Sequence, residues 1–269
     1  MGRYSSGMPR KKSGLVRALK LCCLFSFLTM LAVTIWYNLT SGYTAMLKDE
    51  DIALIQLDPP KTGDHYVIMH TTAGDMKYLL YPEQCPMTVA NFETLCKQGY
   101  YDGTYVFRVE PDIFFSAGSK NADGTLENGT ANSNSENVLR EMSPKLWPLR
   151  GALCALTTRA EEGFLRKLTG TPEYYTGSRF LVCDTIEMTD EIKEGLSGQN
   201  GENMKKVAEA FLEKGGIPNY AQQVAVFGQL VEGFDVLDAI TGAELTGEEH
   251  QMQPAQEIKI TAMELGTVG

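Results

Sequence analysis

The spacing of apolar residues changes period several times along the chain, and each change marks an element. Residues 21–39, LCCLFSFLTMLAVTIWYNL, carry no charge. At 1.5 Å rise per residue, a run of about 19 such residues crosses a ~30 Å hydrocarbon core. The segment is therefore expected to be a membrane anchor, because nothing on it is polar enough to form the wet face of a core helix. Residues 40–63 are mixed and polar, with one apolar run at 52–57, and read as a linker holding a first short strand. From residue 65 the pattern becomes β-like: 65–74 (HYVIMHTTAG) and 76–81 (MKYLLY) predict a hairpin.

Residues 86–97 (PMTVANFETLCK) switch to helical spacing, with Val89, Phe92, Leu95 and Cys96 on one face, Pro86 near the start and Gly99 past the end. Short strands are predicted at 105–109 and 113–115, a polar loop at 119–137, and buried strands at 151–157 and 179–183. Residues 202–214 (ENMKKVAEAFLEK) form an amphipathic helix stopped by Gly215 and Gly216. A strand at 224–229, a short helix at 234–240 and a closing strand at 258–263 complete the chain. Many short strands with few helices, and no regular strand–helix alternation, predict a mainly β barrel or sandwich.

Charge sharpens the reading of the N-terminus. Residues 1–37 hold Arg3, Arg10, Lys11, Lys12, Arg17 and Lys20 and no acid, whereas Lys48, Asp49, Glu50 and Asp51 follow the apolar run. The basic side is expected to stay cytoplasmic, which puts everything after the anchor on the extracytoplasmic side of the cell membrane. A cleaved signal peptide is the rival, although Tyr43-Thr44-Ala45 and Thr40-Ser41-Gly42 make middling cleavage sites. The remaining 18 basic residues face 34 acids, a net −16 over residues 38–269. A surface that negative argues against nucleic acid as a partner, since that needs a basic patch.

Metal chemistry has no support in the sequence. His65, His70 and His250 form no ligand motif, and Cys85, Cys96, Cys154 and Cys183 show no CxxC pair. Those cysteines are expected to be buried thiols.

Three blocks then carry a resemblance. The first is Pro86-x-Thr88-Val89-x-Asn91-Phe92, with Gly99-Tyr100-Tyr101-Asp102-Gly103-Thr104 and Phe107-Arg108-Val109. The second is Gly151-Ala152-Leu153 followed by Gly177-Ser178-x-Phe180, and the third runs Val226-Phe227-Gly228-Gln229-x-Val231-Glu232-Gly233-Phe234-Asp235-Val236-Leu237. In this order and spacing they resemble the cyclophilins, over about residues 64–265, and the segment Glu213-Lys214-Gly215-Gly216-x-Pro218 is similar to bacterial members. The resemblance implies a closed eight-stranded antiparallel barrel capped by two helices, on which the 202–214 helix would be an insertion. The whole chain would then comprise a basic segment 1–20, a transmembrane helix 21–39, a linker 40–63 and this domain.

The same resemblance implies a peptidyl-prolyl cis/trans isomerase that needs no cofactor and acts on proline-containing polypeptides. Arg108 matches the family's catalytic arginine, and an arginine suits the task because it is always charged and presents several rigid donors. The family's pocket maps onto Ile113, Phe114, Leu181 and Tyr220, which stay apolar or aromatic. Its polar Gln becomes Ser116, its Ala-Asn pair Leu156-Thr157, a second Gln Arg179, its Trp Asn219 and its His Val224. Two functions stay open: an isomerase assisting the folding of secreted or cell-surface proteins, and a catalytically weak peptide-binding chaperone or scaffold.

Overall fold

The computed structural model describes residues 47–125, 138–159, 174–246 and 252–269, so the expectations for residues 1–46 lie outside the described residues. Among these residues nine strands form one antiparallel sheet: β1 (His65–Thr71), β2 (Gly74–Leu80), β3 (Tyr105–Glu110), β4 (Phe114–Ser119), β5 (Val138–Leu139), β6 (Ala152–Arg159), β7 (Tyr174–Cys183), β8 (Ala225–Glu232) and β9 (Ile260–Thr267). Their order is β3-β4-β7-β6-β8-β2-β1-β9, with β5 pairing β7. The sheet curls, and residues in and flanking its two edge strands bond to one another. Tyr105 bridges Lys259, the Val106 amide donates to the Ile258 carbonyl at 2.9 Å, and the Ile260 amide to the Thr104 carbonyl at 2.9 Å.

Among the described residues four α-helices accompany the sheet: α1 (Pro86–Lys97), α2 (Asp190–Ser197), α3 (Glu202–Lys214) and α4 (Phe234–Thr241). α1 and α4 bury Val89, Phe92 and Leu95, and Leu237 and Ile240, in the main core beside Phe115, Phe180 and Phe227. These are the apolar stripes that helical spacing predicts. Phe92 is the hub, with ring centroids 5.3 Å from Tyr101, 6.1 Å from Phe180 and 5.2 Å from Phe227. The free end of α1 is capped from a distance: Glu141 accepts from the Thr88 amide and hydroxyl, each at 2.8 Å. A carboxylate there meets unpaired amides and the positive end of the helix dipole.

A second, smaller core lies under α3. Ile52, Trp147, Leu149, Val207, Ala210 and Phe211 are buried together. The segment expected as a linker supplies part of it, since Ile52 and Gln56 are buried. Its apolar run is not a strand but two 3-10 turns, Asp49–Asp51 and Ile55–Leu57. The physical reason is that its polar side chains bond inward to α3 and the 147–150 region, leaving no edge for a ladder. Gln56 Nε2 donates to the Trp147 carbonyl and to Gln229 Oε1, both at 2.8 Å, and Gln56 Oε1 accepts from the Trp147 amide at 2.5 Å.

Other strands are longer than their apolar runs: β4 continues to Ser119 and β7 begins at Tyr174, because ladder pairing carries polar residues along with it. Helix α2 has no counterpart in the predicted elements. It buries no residue and depends on Thr189, whose hydroxyl accepts from the Ile192 amide at 3.4 Å.

Candidate active site

The β3–β4 turn sets the site. Pro111 and Asp112 reverse the chain, and Asp112 takes φ 58°, a left-handed conformation that Asp tolerates better than most residues. The turn closes with the Ile113 amide donating to the Glu110 carbonyl at 3.0 Å. Pairing then places Arg108 opposite Ser116, and Glu110 opposite Phe114. A bulge at Phe107 breaks the alternation of β3, so Arg108 turns outward while Val106 and Val109 on either side stay buried. Gly118 lets β4 lie against β7: its φ is 89°, and a Cβ there would stand 2.6 Å from the Ser178 carbonyl oxygen.

Arg108 ends beside an apolar floor. Its guanidinium carbon stands 5.8 Å from the Phe114 ring centroid, and the Phe114 centroid stands 6.4 Å from that of Tyr220. Tyr220 ends a 3-10 turn, Pro218–Tyr220, and the Val224 amide donates back to its carbonyl at 3.3 Å. Ile113, Leu156, Tyr220 and Val224 are partly buried against the main core, and Leu181, opposite Ser116 on β7, is buried. Of the apolar candidates, Phe114 thus lies under the exposed Arg108 and Tyr220 beside Phe114, while Ile113, Leu181 and Val224 pack on or in the same core.

The polar candidates are placed differently. Ser116 is only 3% exposed, so a short hydroxyl at this depth cannot hold a peptide backbone on the surface as a long amide would. Leu156 lies opposite a bulge in β7 at residues 177–179, and Thr157 pairs with Thr176, away from the register of Leu181 with Cys154. Arg179 lies on β7, two residues before Leu181, and donates to the Gly124 carbonyl at 2.9 Å. Burial pulls its guanidinium below its ordinary pKa. Asn219 is exposed, leaving Tyr220 as the aromatic that meets Phe114.

Sequence reasoning missed Glu110, whose carboxylate meets Arg108 Nη2 at 3.2 Å. Its i,i+2 spacing on a strand was the available signal, since such residues share a face. It also missed the approach of two thiols behind the pocket: Cys154 and Cys183 sulfurs lie 3.7 Å apart, although 29 residues separate them. The four described cysteines are buried and unbridged. Among the described residues, no three His, Cys, Asp or Glu side chains converge as metal ligands.

Fold and floor together define a curled antiparallel sheet with an arginine over an aromatic pocket. Comparison with known proteins gives this arrangement its class. Residues 66–265 match the family described as cyclophilin type peptidyl-prolyl cis-trans isomerase. The chain belongs to that family.

A Staphylococcus epidermidis protein named as a peptidyl-prolyl cis-trans isomerase is 30% identical over 199 residues, covering 74% of this chain and 90% of its own. A Streptococcus pyogenes protein named as a bifunctional phosphatase/peptidyl-prolyl cis-trans isomerase is 30% identical over 221 residues. That match covers 81% of this chain but only 42% of the longer relative. Among solved structures, a Cryptosporidium parvum cyclophilin type peptidyl-prolyl cis-trans isomerase superposes with a TM-score of 0.53 at 20% identity, over 77% of this chain and 99% of its own. The structure of that protein in the presence of the dipeptide Ala-Pro gives 0.52 at 20% identity, over 76% and 99%. At this identity the likeness is one of fold.

Proposed function

We propose that Arg108 and the floor beside it isomerise X–Pro bonds in extended polypeptides. Resonance in the imide opposes rotation with a barrier of ~18–20 kcal/mol. Lowering it requires no bond to be made or broken outside the substrate. The proline ring rests in the apolar floor of Ile113, Phe114, Leu181 and Tyr220 while the preceding carbonyl turns. As conjugation is lost, the imide nitrogen becomes pyramidal and basic, and Arg108 donates to it. A fixed donor aimed at charge that develops only in the transition state lowers the barrier without tightening the ground state. The observation that carries this reading is the placement of the Arg108 guanidinium over Phe114, with Tyr220 behind it. Leu156, Thr157 and Val224 complete the substrate wall in this reading.

Closure of the eight-strand path into one barrel belongs to the same reading and is supported by the bonds between residues 104–106 and 258–260. The test is cis/trans exchange of an Ala-Pro peptide followed by NMR with the full chain in mild detergent. Exchange that is accelerated, and that depends on Arg108, is expected. Tight peptide binding without acceleration would instead establish a peptide-binding chaperone, the reading that the buried Ser116 favours.

The substrates we infer are secreted or cell-surface proteins. The support is the charge-free run 21–39 behind six basic residues. The domain would then stand outside the cell membrane on that anchor, or be released from it by cleavage. Protease added to intact cells should digest the domain, and protection until lysis would refute this topology.

A further inference from the structure

Arg179 lies on β7 with its charge uncompensated by a described carboxylate. Its side chain is half-buried, yet it spends one of five N–H donors on the Gly124 carbonyl, and among the described residues no carboxylate pairs with it. Arg108 and Arg150 do have such partners, Glu110 at 3.2 Å and Asp184 at 2.9 Å. A cation that loses water without gaining an anion is destabilising, and a neutral side chain here would relieve the cost. The family resemblance implies such a neutral residue, a glutamine, at this position. The charge is therefore this chain's own departure.

Its location ties it to the pocket. Arg179 and Leu181 are two residues apart on β7, Arg179 at an irregularity in the pairing with β6 and Leu181 paired with Ser116 of β4. At ~3.3 Å per residue that is a separation of about 7 Å, the distance between a proline and a residue two positions away in an extended peptide. Another cation approaches the residue before Arg179 in sequence: Lys120 Nζ stands 4.9 Å from the centroid of the Tyr100 ring, whose hydroxyl accepts from Ser178 Oγ at 3.0 Å. Asp123, on the same turn as Gly124, has its carboxylate occupied by the Thr125 amide and hydroxyl at 2.9 and 2.7 Å.

We propose that Arg179 is a specificity-determining residue that selects an acidic side chain two residues from the substrate proline. This rests on the assignment of the pocket above and names the class of substrate it takes. A carboxylate there would pair with the four remaining donors in a partly desolvated setting, where a charge-assisted bond is stronger than in water.

The test uses peptides carrying Glu, Gln or Lys two residues before or two residues after a single proline. Both affinity and cis/trans exchange would be read by NMR with the full chain and its Arg179→Gln and Arg179→Lys variants. On one of the two flanks Glu should be preferred over Gln by on the order of 10-fold, about 1.4 kcal/mol, and Lys should be worst. R179Q should collapse the preference to near unity, R179K should retain most of it, and raised salt should weaken it. Equal affinities for Glu, Gln and Lys on both flanks, or a preference that survives R179Q, would overturn the proposal. Peptides that bind with the expected preference but are not isomerised would support Arg179 and refute the catalytic reading. Failure of every peptide to bind would overturn both.

Discussion

The wall formed by β3, β4 and β7 and the annex formed by residues 47–57, Trp147 and α3 solve opposite problems. In the annex every polar group pulled under the surface finds partners: Gln56 is held by Trp147 and Gln229, and the Trp147 indole N–H donates to the Ala53 carbonyl at 2.9 Å. In the wall the cations are held more loosely. Arg108 is 54% exposed over an aromatic ring with Glu110 at 3.2 Å, and the partly buried Arg179 has, among the described residues, a single carbonyl. Satisfied polar groups hold a fold together, and under-satisfied ones are free to meet a substrate. The comparison teaches that stability and chemistry are placed in separable parts of the domain.

The strongest way to break that separation is Phe211→Ala. Phe211 is 2% exposed in the annex core, and removing such a ring costs about 3–5 kcal/mol. Urea unfolding should show that loss, while the isomerase rate per folded molecule stays at the wild-type level. The connection from α3 through Gly215 and Gly216 to Tyr220 makes this a demanding test. A fall in rate would mean that the annex positions the pocket aromatic, and the two regions would no longer be separable.

Arg108→Ala tests the other side. Losing one preorganised donor costs about 10²–10³ in rate, or roughly 3–4 kcal/mol of transition-state stabilisation. The melting temperature should barely move, because an exposed ion pair such as Arg108–Glu110 contributes ~0–1 kcal/mol. NMR exchange and thermal melting on the same sample would check both halves. A full rate in the variant would remove Arg108 from the mechanism.

Much of this wall was legible in the sequence. The strands that carry Arg108 and Phe114 and both long helices followed from period and motif, and α1 and α3 begin and end where spacing, Pro86 and Gly215 put them. The annex was not legible, because its cohesion comes from side chains paired across 91 to 173 residues, as with Gln56 to Trp147 and Gln229. No local pattern reports such pairs, and a polar stretch holding them looks like a linker. The depth of Ser116 was not legible for a related reason. Its motif position implies a pocket, but its depth is set by strands on both sides, Arg108 on β3 and Leu181 on β7.

A smaller effect is expected from Gln56→Ala, which strips the Trp147 amide and carbonyl and Gln229 Oε1 of their shared partner. An unpaired buried group costs on the order of 1–3 kcal/mol, unless water enters to replace the amide. Urea unfolding should show a loss below that of Phe211→Ala, again without change in rate. A loss of activity would place Gln229, and hence β8, in communication with the pocket.

The smallest effect, and the one with a distinctive pH signature, concerns Asp49. Helix α3 starts at Glu202 after Gly201, which has no side chain to cap it. Asp49 does so from across the annex: its carboxylate accepts from the Met204 amide at 2.9 Å and the Asn203 amide at 3.1 Å. Those backbone bonds, first that of Met204 and then that of Asn203, hold its pKa below the ordinary value of 3.8. A carboxylate whose folded pKa is depressed binds its proton less readily in the folded than in the unfolded chain. Its contribution is therefore complete above the unfolded pKa and is lost as pH falls through the lowered folded one. Asp49→Asn should consequently melt below the wild type at neutral pH, with the gap narrowing below about pH 4 as the wild-type carboxylate is neutralised. The isomerase rate should be the same for both at every pH where both are folded. A gap that persists undiminished into acid would show that Asp49 acts by shape and hydrogen bonding alone. No gap at neutral pH would show that the 47–51 segment is not what fixes the start of α3, and the annex would then rest on its apolar residues.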